Sequence, residues 1–470
     1  MSHPALEADA SAPAIPVHVV DAESWPALRD GLAPRERRFA EAQGFAPKPG
    51  RTVILPDEEG GAARVVACLD PADPFAAGRL ASLPAGLYRL EPAPARAALA
   101  TLGFALGSYR FTRYKSAGRN GAEDGADPGA EKARARLLVP PGVDAGEIAR
   151  IAEAVALGRD LVNTPANDLG PDGIADAVVA LAERHHASVS VIEGEDLLAR
   201  GFPMIHAVGR AADRAPRLAD LTWGPADAPK VTLVGKGVAF DTGGLDIKPS
   251  SAMALMKKDM GGAAAAIAAA QMIMAANLPV RLRLLVPAVE NSISGASFRP
   301  GDVLASRKGL TVEIGNTDAE GRLILADALA LADEETPDLL VDFATLTGAA
   351  RVALGPDLPP FMTDDETLAA DLARLSAAVH DPAWRLPLWK PYDKLLDSKI
   401  ADVNHISGGP HAGAITAALF LRRFVSNAKS YVHFDIFAWN PSAKPGRPEG
   451  GEVQAARLVH ALVAERHGAA

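Results

Sequence analysis

The sequence predicts an α/β protein of two domains: a smaller N-terminal α/β domain over residues 1–143 and a larger C-terminal domain over residues 144–470. Three observations lead to this prediction. The chain is too long for one ordinary hydrophobic core, strand-like and helix-like patterns alternate along it, and a Pro-Pro-Gly run at 140–142 separates a last N-terminal strand from a long helical stretch. In the larger domain, the alternation predicts a mainly parallel, helix-covered mixed sheet.

The N-terminal domain mixes short apolar runs with helical stretches. Residues 51–55 and 136–139 predict strands, and residues 93–106 predict a helix. The tract 116–129 is rich in Gly, Ala, Asp and Glu, so we expect an exposed loop there. A helix predicted over 145–161 is expected to bridge the two domains.

The C-terminal domain repeats a strand-then-helix pattern. Strands are predicted at 189–192, 231–235, 281–286, 339–345 and 431–436. Helices are predicted between them, at 173–184, 262–276, 322–335 and 413–424.

Composition bounds the class of protein. Hydrophobic residues make up 48% and charged residues 23%, which is typical of a globular protein. The net charge of −10 makes general nucleic-acid binding unlikely, since such proteins are usually basic. Cys68 is the single cysteine, and it excludes an intrachain disulfide and fits a reducing compartment. Residues 1–16 lack a secretory pattern and no apolar run is long enough to span a bilayer, so we expect a cytoplasmic protein without a membrane partner.

The octapeptide at 316–323 carries two acids and an arginine within five positions, before an apolar helix predicted to begin at Arg322. Acids two positions apart do not share a helix face, but they share one side of an extended segment. We therefore expect Asp318 and Glu320 to point at one place just before that helix. Two convergent carboxylates beside a fixed cation indicate a metal or acid/base centre; the alternative is a solvated acidic loop.

A second segment follows the strand predicted at 231–235. Lysines and aspartates alternate among glycines over residues 236–262, ahead of an alanine-rich helix. The glycines allow the backbone to approach a small ligand closely. In open α/β sheets, ligands bind beyond the carboxyl ends of the strands. Lys236 and Asp241 are therefore expected at a ligand-binding edge.

Together, the two segments resemble the signature of the leucyl aminopeptidase (cytosol aminopeptidase) family of dinuclear metallopeptidases. The octapeptide matches that signature residue for residue, and the tract 235–262 resembles the family's other metal-binding stretch with matching spacing. Further similarity lies at 159–168, 342–349, 384–388 and 412–418. The resemblance implies a catalytic C-terminal domain and a metal-dependent aminopeptidase, which removes leucine and other mainly apolar N-terminal residues from peptides.

The resemblance also implies a pair of divalent ions, zinc or manganese with magnesium as a further candidate, bound by Lys236, Asp241, Asp259, Asp318 and Glu320. The four carboxylates would offset the charge of two such ions about 3.5–4 Å apart. Oxygen ligands suit these hard or borderline ions. Two ions also shift a shared water toward hydroxide, the nucleophile that amide hydrolysis requires.

Lys236 is an unusual residue beside metal ions. An ammonium about 4 Å from one dication, at an effective dielectric of about 20, meets about 8 kcal/mol of repulsion. That energy corresponds to about 6 pK units, enough to make the lysine a neutral amine. We therefore expect Lys236 to be a metal ligand, as in the family; the alternative is a lysine that forms salt bridges with the acids in a metal-free protein.

The resemblance also implies catalytic roles for two further cations. Lys248 would stay charged and stabilise the oxyanion of the tetrahedral intermediate. Arg322 would hold a bicarbonate ion that acts as the general base, since a planar guanidinium suits a carbonate-type anion. The alternative for each is a surface ion pair.

The resemblance places the substrate backbone along Thr345, Leu346 and Gly348. Met256 would line the pocket for the first side chain, since methionine adapts to varied apolar shapes; its alternative is core packing. Histidines lack a zinc-type spacing, so His405, His411 and His433 are expected to be structural or to lie at the substrate rim. Asp246 departs from the family pattern and is expected near Lys248, where it would tune the lysine's charge or bind a cation.

Family members imply a homohexamer with active sites facing an enclosed interior. Two other functions remain open at this stage. One is a non-catalytic relative with a structural or DNA-binding role, against which the complete set of expected site residues argues. The other is a different metallohydrolase on a related scaffold, such as a carboxypeptidase.

Overall fold

The chain consists of two compact units. The computed structural model describes residues 3–115 and 134–468, so the loop predicted over 116–129 lies outside the described residues. One unit comprises Met1–Ala156 and the segment Ser442–Glu449, and the other comprises Leu157–Pro441 and Gly450–Ala470.

Six strands form the sheet of the N-terminal unit: β1 Leu6–Glu7, β2 Ile15–Val19, β3 Thr52–Pro56, β4 Ala62–Ala67, β5 Gly86–Glu91 and β6 Ala135–Leu138. Their order is β1-β6-β5-β2-β4-β3. Neighbours are parallel except for the edge pair β3 and β4. In β3, Val53 and Leu55 are buried whereas Thr52 is exposed, as expected for a strand with one face on a core.

The helices of this unit are α1 Trp25–Gly31, α2 Pro34–Ala42, α3 Ala97–Gly107 and α4 Ala145–Asn163, with a 3-10 helix at Ala76–Ser82. The division between the two units falls inside α4. Pro34 occupies the first turn of α2, where its fixed φ is favourable. The side chain of Glu36 then accepts the N–H of Ala33 at 3.0 Å, which satisfies a donor at the helix start.

The strands of the C-terminal unit are β7 Ser188–Glu193, β8 Arg217–Trp223, β9 Lys230–Gly235, β10 Gly237–Asp241, β11 Arg281–Asn291, β12 Val303–Ala305, β13 Thr311–Glu313, β14 Leu339–Ala344, β15 Pro360–Met362, β16 Trp384–Arg385, β17 Val403–Asn404, β18 Tyr431–Asp435, β19 Trp439–Asn440 and β20 Gly450–Gly451. The main sheet has nine strands, in the order β16-β15-β18-β14-β9-β11-β8-β7, with β10 paired to β11.

The centre of this sheet is parallel, because β18, β14, β9 and β11 all run in one direction. Antiparallel pairs lie toward its edges, at β15 with β18 and at β8 with its neighbours. The predicted fold class, a mainly parallel mixed sheet covered by helices, is confirmed. Two smaller sheets accompany it, β12-β13-β17 and β19-β20.

The helices of this unit are α5 Pro171–His185, α6 Asp196–Ala199, α7 Pro203–Gly209, α8 Ser250–Met253, α9 Gly261–Ala275, α10 Glu320–Asp333, α11 Gly348–Leu354, α12 Glu366–Ala378, α13 Gly413–Arg422 and α14 Ala456–His467. Short 3-10 helices lie at Met256–Met260, Thr317–Ala319 and Lys390–Leu396. Within the described residues, no helix combines the length and apolarity needed to cross a membrane.

Helix α9 is buried along almost its whole length, including every alanine from Ala263 to Ala270. Small side chains allow it to lie close against β9 and β14. A Cβ atom on Gly262 would come within 2.2 Å of the carbonyl oxygen of Phe343, so only glycine permits this approach. The close packing brings the start of α9 to the carboxyl ends of the central strands.

Candidate metal centre

Lys236 lies between β9 and β10, at the carboxyl end of the central strand. Its N–H donates to the carbonyl of Phe343 at 3.0 Å, and its own carbonyl accepts the N–H of Ala263 at 2.8 Å. These bonds fix the backbone of Lys236 between β14 and α9. Its side chain is buried and carries the ammonium to a group of carboxylates.

The ammonium of Lys236 contacts three groups. Its Nζ lies 2.8 Å from Asp259 Oδ2 and 3.0 Å from Glu320 Oε1, and it donates to the carbonyl of Thr345 at 2.8 Å. Asp259 comes from the 3-10 helix before α9, and Glu320 is the first residue of α10. Three separate segments therefore meet at this lysine.

Three carboxylates form a compact cluster around it. Asp241, Asp259 and Glu320 are buried, and each offers an oxygen within 4.8 Å of those of the other two. Lys248 joins this cluster to the fourth acid, because its Nζ lies 2.8 Å from Asp241 Oδ2 and is ion-paired with Asp318. The side chain of Asp318 is 32% exposed, so it lies at the outer side of the group.

Several oxygens of the cluster have no hydrogen-bond donor among the described residues, although they are buried. They are both carboxylate oxygens of Glu320, Oδ2 of Asp259 and Oδ1 of Asp318. Three of these atoms are ion-paired with lysine ammonium groups, whereas Oε2 of Glu320 is buried without a hydrogen-bond partner among the described residues. Buried anionic oxygens without donors are costly. Such a donor set fits hard or borderline divalent cations.

Neighbouring side chains hold two of these acids in place. Asn291, the last residue of β11, donates from Nδ2 to Asp241 Oδ1 at 2.8 Å, and the N–H of Gly243 reaches the same oxygen at 2.9 Å. Thr345 donates from Oγ1 to Asp259, with Oδ1 at 2.9 Å. One oxygen of each carboxylate is thus occupied and the other faces the centre of the cluster.

The acids of the cluster differ in pKa. Burial, followed by the charge of Asp241, raises the pKa of Asp318 to about 6 and raises that of Glu320 well above its ordinary value. Burial acts in the same direction on Asp259, but the cations Lys236 and Lys258 outweigh it and lower the pKa of that carboxyl. Crowded anions of this kind are relieved when cations bind between them.

The two lysines keep their protons when no metal is bound. Burial lowers the pKa of Lys236, but Asp259 and Glu320 outweigh that effect and raise the pKa above its usual range. Burial likewise opposes the charge on Lys248, whereas Asp241 and Asp318 raise its pKa above the usual range. Lys236 would lose its proton only when cations replace it among the carboxylates.

The expected geometry of the octapeptide is wrong in one respect. Asp318 and Glu320 do not lie on an extended segment, because Thr317–Ala319 forms a 3-10 turn and α10 begins at Glu320. The side chain of Asn316 accepts the N–H of Asp318 at 2.7 Å and so starts the turn. In consequence the two carboxylates face different parts of the group, Glu320 beside Lys236 and Asp318 beside Lys248.

A cavity of about 360 Å³ opens beside the cluster. The predicted residues on its wall are Lys236, Asp241, Lys248, Met256, Asp259, Asp318, Thr345, Leu346 and Gly348. Glu320 is absent from the wall and lies behind Lys236. Met256 is only half-buried, which favours the cavity position over core packing.

Arg322 forms no ion pair with the four acids of the cluster. Its Nη1 donates to the carbonyl of His405 at 2.7 Å, and its buried Nε has no hydrogen-bond partner among the described residues. Burial lowers the pKa of Arg322 to about 10. Arg322 is absent from the cavity wall.

Three other polar residues singled out in the sequence, His405, His433 and Asp246, bond to groups outside the acidic cluster. His405 is buried and contacts the backbone of Asn316 and Glu313; burial and the charge of Arg322 lower its pKa to about 3. His433 lies 2.6 Å from Asp342. Asp246 forms no ion pair with Lys248; its carboxylate accepts the N–H of Thr317 at 2.8 Å instead.

Sequence reasoning missed five residues at or beside the cavity: Asn291, Lys258, Arg351, Asp435 and Phe437. Asp435 accepts the N–H groups of Leu346 and Thr347, both at 3.1 Å. Lys258 is buried, and burial lowers its pKa to about 8. Lys258 lies next to Asp259 and Arg351 lies three residues after Gly348, whereas Asn291, Asp435 and Phe437 are distant in sequence from the site motifs, so no local spacing identifies those three.

Comparisons with known proteins show the family to which the chain belongs. Residues 156–463 match the model of the cytosol aminopeptidase family, catalytic domain, and residues 15–124 match the M17 aminopeptidase N-terminal domain. The probable cytosol aminopeptidase of Chlorobium limicola is 40% identical over 368 residues, which cover 76% of this chain and 73% of the relative.

Two solved structures share the fold over nearly the whole chain. The cytosol aminopeptidase of Coxiella burnetii superimposes with a TM-score of 0.91 at 44% identity, covering 98% of this chain and 99% of the other. The bottromycin maturation enzyme BotP, in a complex with Mn, gives 0.82 at 35% identity, covering 96% and 100%. The recognition made from the two sequence segments is therefore confirmed, and the chain belongs to the cytosol aminopeptidase family of metallo-exopeptidases.

Proposed function

We propose that this protein uses two divalent ions, bound by Lys236, Asp241, Asp259, Asp318 and Glu320, to remove the N-terminal residue from peptides. One observation carries the proposal. Three buried carboxylates lie within 4.8 Å of one another, and both oxygens of Glu320 lack a donor among the described residues. The single charges of Lys236 and Lys248 offset only part of the negative charge of the four acids, and divalent ions would offset the rest.

When bound, the two ions would activate a water molecule for attack on the peptide carbonyl and polarise that carbonyl. Zinc or manganese suits a set of four carboxylates and one amine, and magnesium is a further candidate. The complex of BotP with Mn supports manganese as the first ion to test.

Lys248 is proposed to stabilise the oxyanion that develops on the scissile carbonyl. Its Nζ lies on the cavity wall beside Asp241 and Asp318, so it can reach a group bound next to these acids. The neighbouring carboxylates keep its pKa above the usual range, and a fixed positive charge at this position favours the transition state over the ground state.

Arg322 is proposed to hold a bicarbonate ion that removes the proton from the attacking water. The Nε proton, buried and without a partner among the described residues, is the observation that supports an anion there. A bicarbonate requirement is tested by assay in carbon-dioxide-free buffer with and without added bicarbonate. Full activity without bicarbonate would rule out this role.

The substrate backbone is proposed to lie along Thr345, Leu346 and Gly348. Gly348 begins α11, and a Cβ atom there would meet nothing within 4 Å, so the wall is open at this point. Met256 and Leu255 contribute apolar surface, which favours leucine and other apolar first residues. The assembly is proposed to be a homohexamer acting in the cytoplasm.

The proposal is tested by metal analysis combined with matched substrates. After dialysis against a strong chelator, we expect loss of leucyl-anilide hydrolysis and its recovery with manganese or zinc at about two ions per chain. A leucyl peptide with an acetylated amino end must remain uncleaved; its cleavage would indicate a carboxypeptidase. Full activity without stoichiometric metal would overturn the two-ion proposal. A gel-shift at physiological salt tests the disfavoured DNA-binding role.

A further inference from the structure

Lys258 is a buried cation on the cavity wall that the proposed chemistry does not use. It is 5% exposed, and its ammonium has neither a hydrogen bond nor an ion pair with any residue in the described part of the chain. Its neighbour Asp259 belongs to the metal centre and contacts Lys236 instead. Burial of an unpaired charge is costly unless a ligand completes its environment.

A second cation, for which the described residues supply no ion pair, lies on the same stretch of wall. Arg351, in α11, also lines the cavity, and its guanidinium carbon lies 5.0 Å from the centre of the Phe437 ring. The Nζ atom of Lys258 lies 4.8 Å from the centre of the same ring. Phe437 therefore holds two cations together by cation–π contacts, where repulsion would otherwise separate them.

The other charged groups on the wall are already paired. Lys236 and Lys248 contact the metal-binding acids, which leaves Asp435 as the one wall acid outside the metal centre. Asp435 accepts two backbone N–H groups and the hydroxyl of Thr347 at 2.6 Å. It forms no ion pair with Lys258 or Arg351, so the end of the cavity near Phe437 keeps an excess of positive charge.

We propose that Lys258 and Arg351 form a carboxylate-binding subsite, so that the enzyme favours peptides that present a carboxylate at this end of the cavity. This inference rests on the proposed aminopeptidase function, and it adds a charged preference to the apolar surface of Met256 and Leu255. Two carboxylates of a substrate can reach such a site: the side chain of an N-terminal glutamate or aspartate, and the C-terminal carboxylate of a dipeptide.

Matched substrates separate these two sources. The side chain is tested by comparing glutamyl- with glutaminyl-aminomethylcoumarin, which differ in charge but hardly in shape. The main-chain carboxylate is tested by comparing Leu-Gly with Leu-Gly-amide. We expect the charged member of at least one pair to have a kcat/KM about tenfold higher or more, with most of the difference in KM, because hydrogen bonds to a charged group have about this effect.

Substitution of the cations provides the decisive comparison. In Lys258→Met and in Arg351→Met, both assayed with saturating manganese because Lys258 neighbours Asp259, the preference for the charged member should fall by about tenfold, whereas kcat/KM for the uncharged member should change by less than about threefold. Lys257→Met is the matched control, because Lys257 is the adjacent lysine and donates to the carbonyl of Asn163. That variant should keep the charge preference of the wild-type protein.

Calorimetric titration with L-glutamate and L-glutamine gives a readout independent of turnover. Tighter binding of glutamate that is lost in Lys258→Met assigns the side-chain carboxylate to the subsite. A change confined to the Leu-Gly pair assigns the C-terminal carboxylate. The subsite is overturned if wild type and Lys258→Met have the same charged-to-uncharged kcat/KM ratio for both substrate pairs and the same relative affinity for glutamate and glutamine. Failure of the metal-loaded wild type to cleave any of these substrates would instead overturn the proposed function, and the titration alone then decides the subsite.

Discussion

Gly321 lies directly against the side chain of Lys236. A Cβ atom at position 321 would come within 2.3 Å of Lys236 Cε and 2.7 Å of Nζ. The glycine lies in the first turn of α10, where alanine would be favoured by up to about 1 kcal/mol on helix propensity alone. Glycine is therefore required here for the space that it leaves to Lys236, and not for a special backbone conformation.

Gly321→Ala is expected to leave the fold intact and to displace the amine of Lys236 from the metal centre. Metal affinity and turnover should each fall by about tenfold or more, as for the loss of one ligand contact. Isothermal titration with manganese measures the metal affinity, steady-state kinetics measure the turnover, and thermal unfolding of the metal-free protein checks that the fold is intact. Gly295→Ala is the control, since a Cβ there meets nothing within 4 Å. A variant with wild-type manganese affinity would show that the position of Lys236 is unimportant.

Asp259→Asn is expected to weaken metal binding by removing one charge from the buried cluster. In the wild type, Thr345 Oγ1 donates to Asp259 Oδ1 at 2.9 Å, and the amide oxygen of the asparagine can accept the same hydrogen bond. The amide NH₂ group then takes the place of the oxygen that faces Lys236. The metal-to-protein ratio after gel filtration should therefore fall below that of the wild type. Asp397→Asn, at an exposed acid outside the cluster, should leave the ratio unchanged. An unaltered ratio in Asp259→Asn would contradict its assignment as a ligand.

The sequence predicted the contents of this centre better than its shape. Periodic patterns were sufficient to place β9 and α9, because a buried strand and a long alanine-rich helix have strong local signals. The turn at Thr317–Ala319 was missed, since Asn316 starts it through a side-chain bond that an alternating pattern does not reveal. That turn decides which carboxylate faces Lys236 and which faces Lys248.

The cation pair near Phe437 was also beyond the reach of local patterns. Lys258, in the 3-10 helix Met256–Met260, and Arg351, in α11, both lie over the ring of Phe437. Lys258 is flanked in sequence by Lys257 and Asp259, and Arg351 lies in a separate segment, so no sequence spacing connects the two cations. The proximity of the two cations results from tertiary contacts between distant segments, which cannot be predicted from the local pattern of a single sequence.

Lys248→Ala is expected to lower kcat by about 10²–10³-fold, the usual effect of removing one oxyanion-stabilising group. Bound metal should stay near the wild-type level, because the substitution removes a competing cation from Asp241 and Asp318 and takes away no carboxylate. Metal analysis and steady-state kinetics on the same preparation test this. Loss of both ions would mean that Lys248 maintains the metal site, and would contradict a role for it in oxyanion stabilisation alone.

Arg322→Ala is expected to lower turnover and to abolish any stimulation by bicarbonate, with metal content nearly unchanged. Since Arg322 also donates to the carbonyl of His405 at 2.7 Å, the variant should in addition lose about 1–3 kcal/mol of unfolding free energy. Arg322→Lys separates the effects, because it keeps the charge but not the planar fork. Bicarbonate stimulation that survives in Arg322→Ala would place the anion elsewhere.

Asp327 gives a pH-dependent prediction outside the metal centre. Its carboxylate accepts the N–H groups of Met204 and Arg307, both at 2.8 Å, yet burial raises its pKa to about 7. The unfolded carboxyl titrates near 4, so between about pH 4 and 7 the folded state binds the extra proton. The contribution of this proton to stability is therefore full below about pH 4 and declines as pH rises through 7.

Asp327→Asn removes this titration, since an amide binds no proton in that range. The unfolding free energy of the wild type minus that of Asp327→Asn should therefore decrease from pH 5 to about pH 7 and level off above that pH. Chemical denaturation of both proteins in metal-free buffer measures this difference, and the shared metal centre cancels from it. A difference that stays constant or grows with pH would mean that the three backbone N–H donors, which also include Ile205, outweigh burial and keep Asp327 ionised throughout.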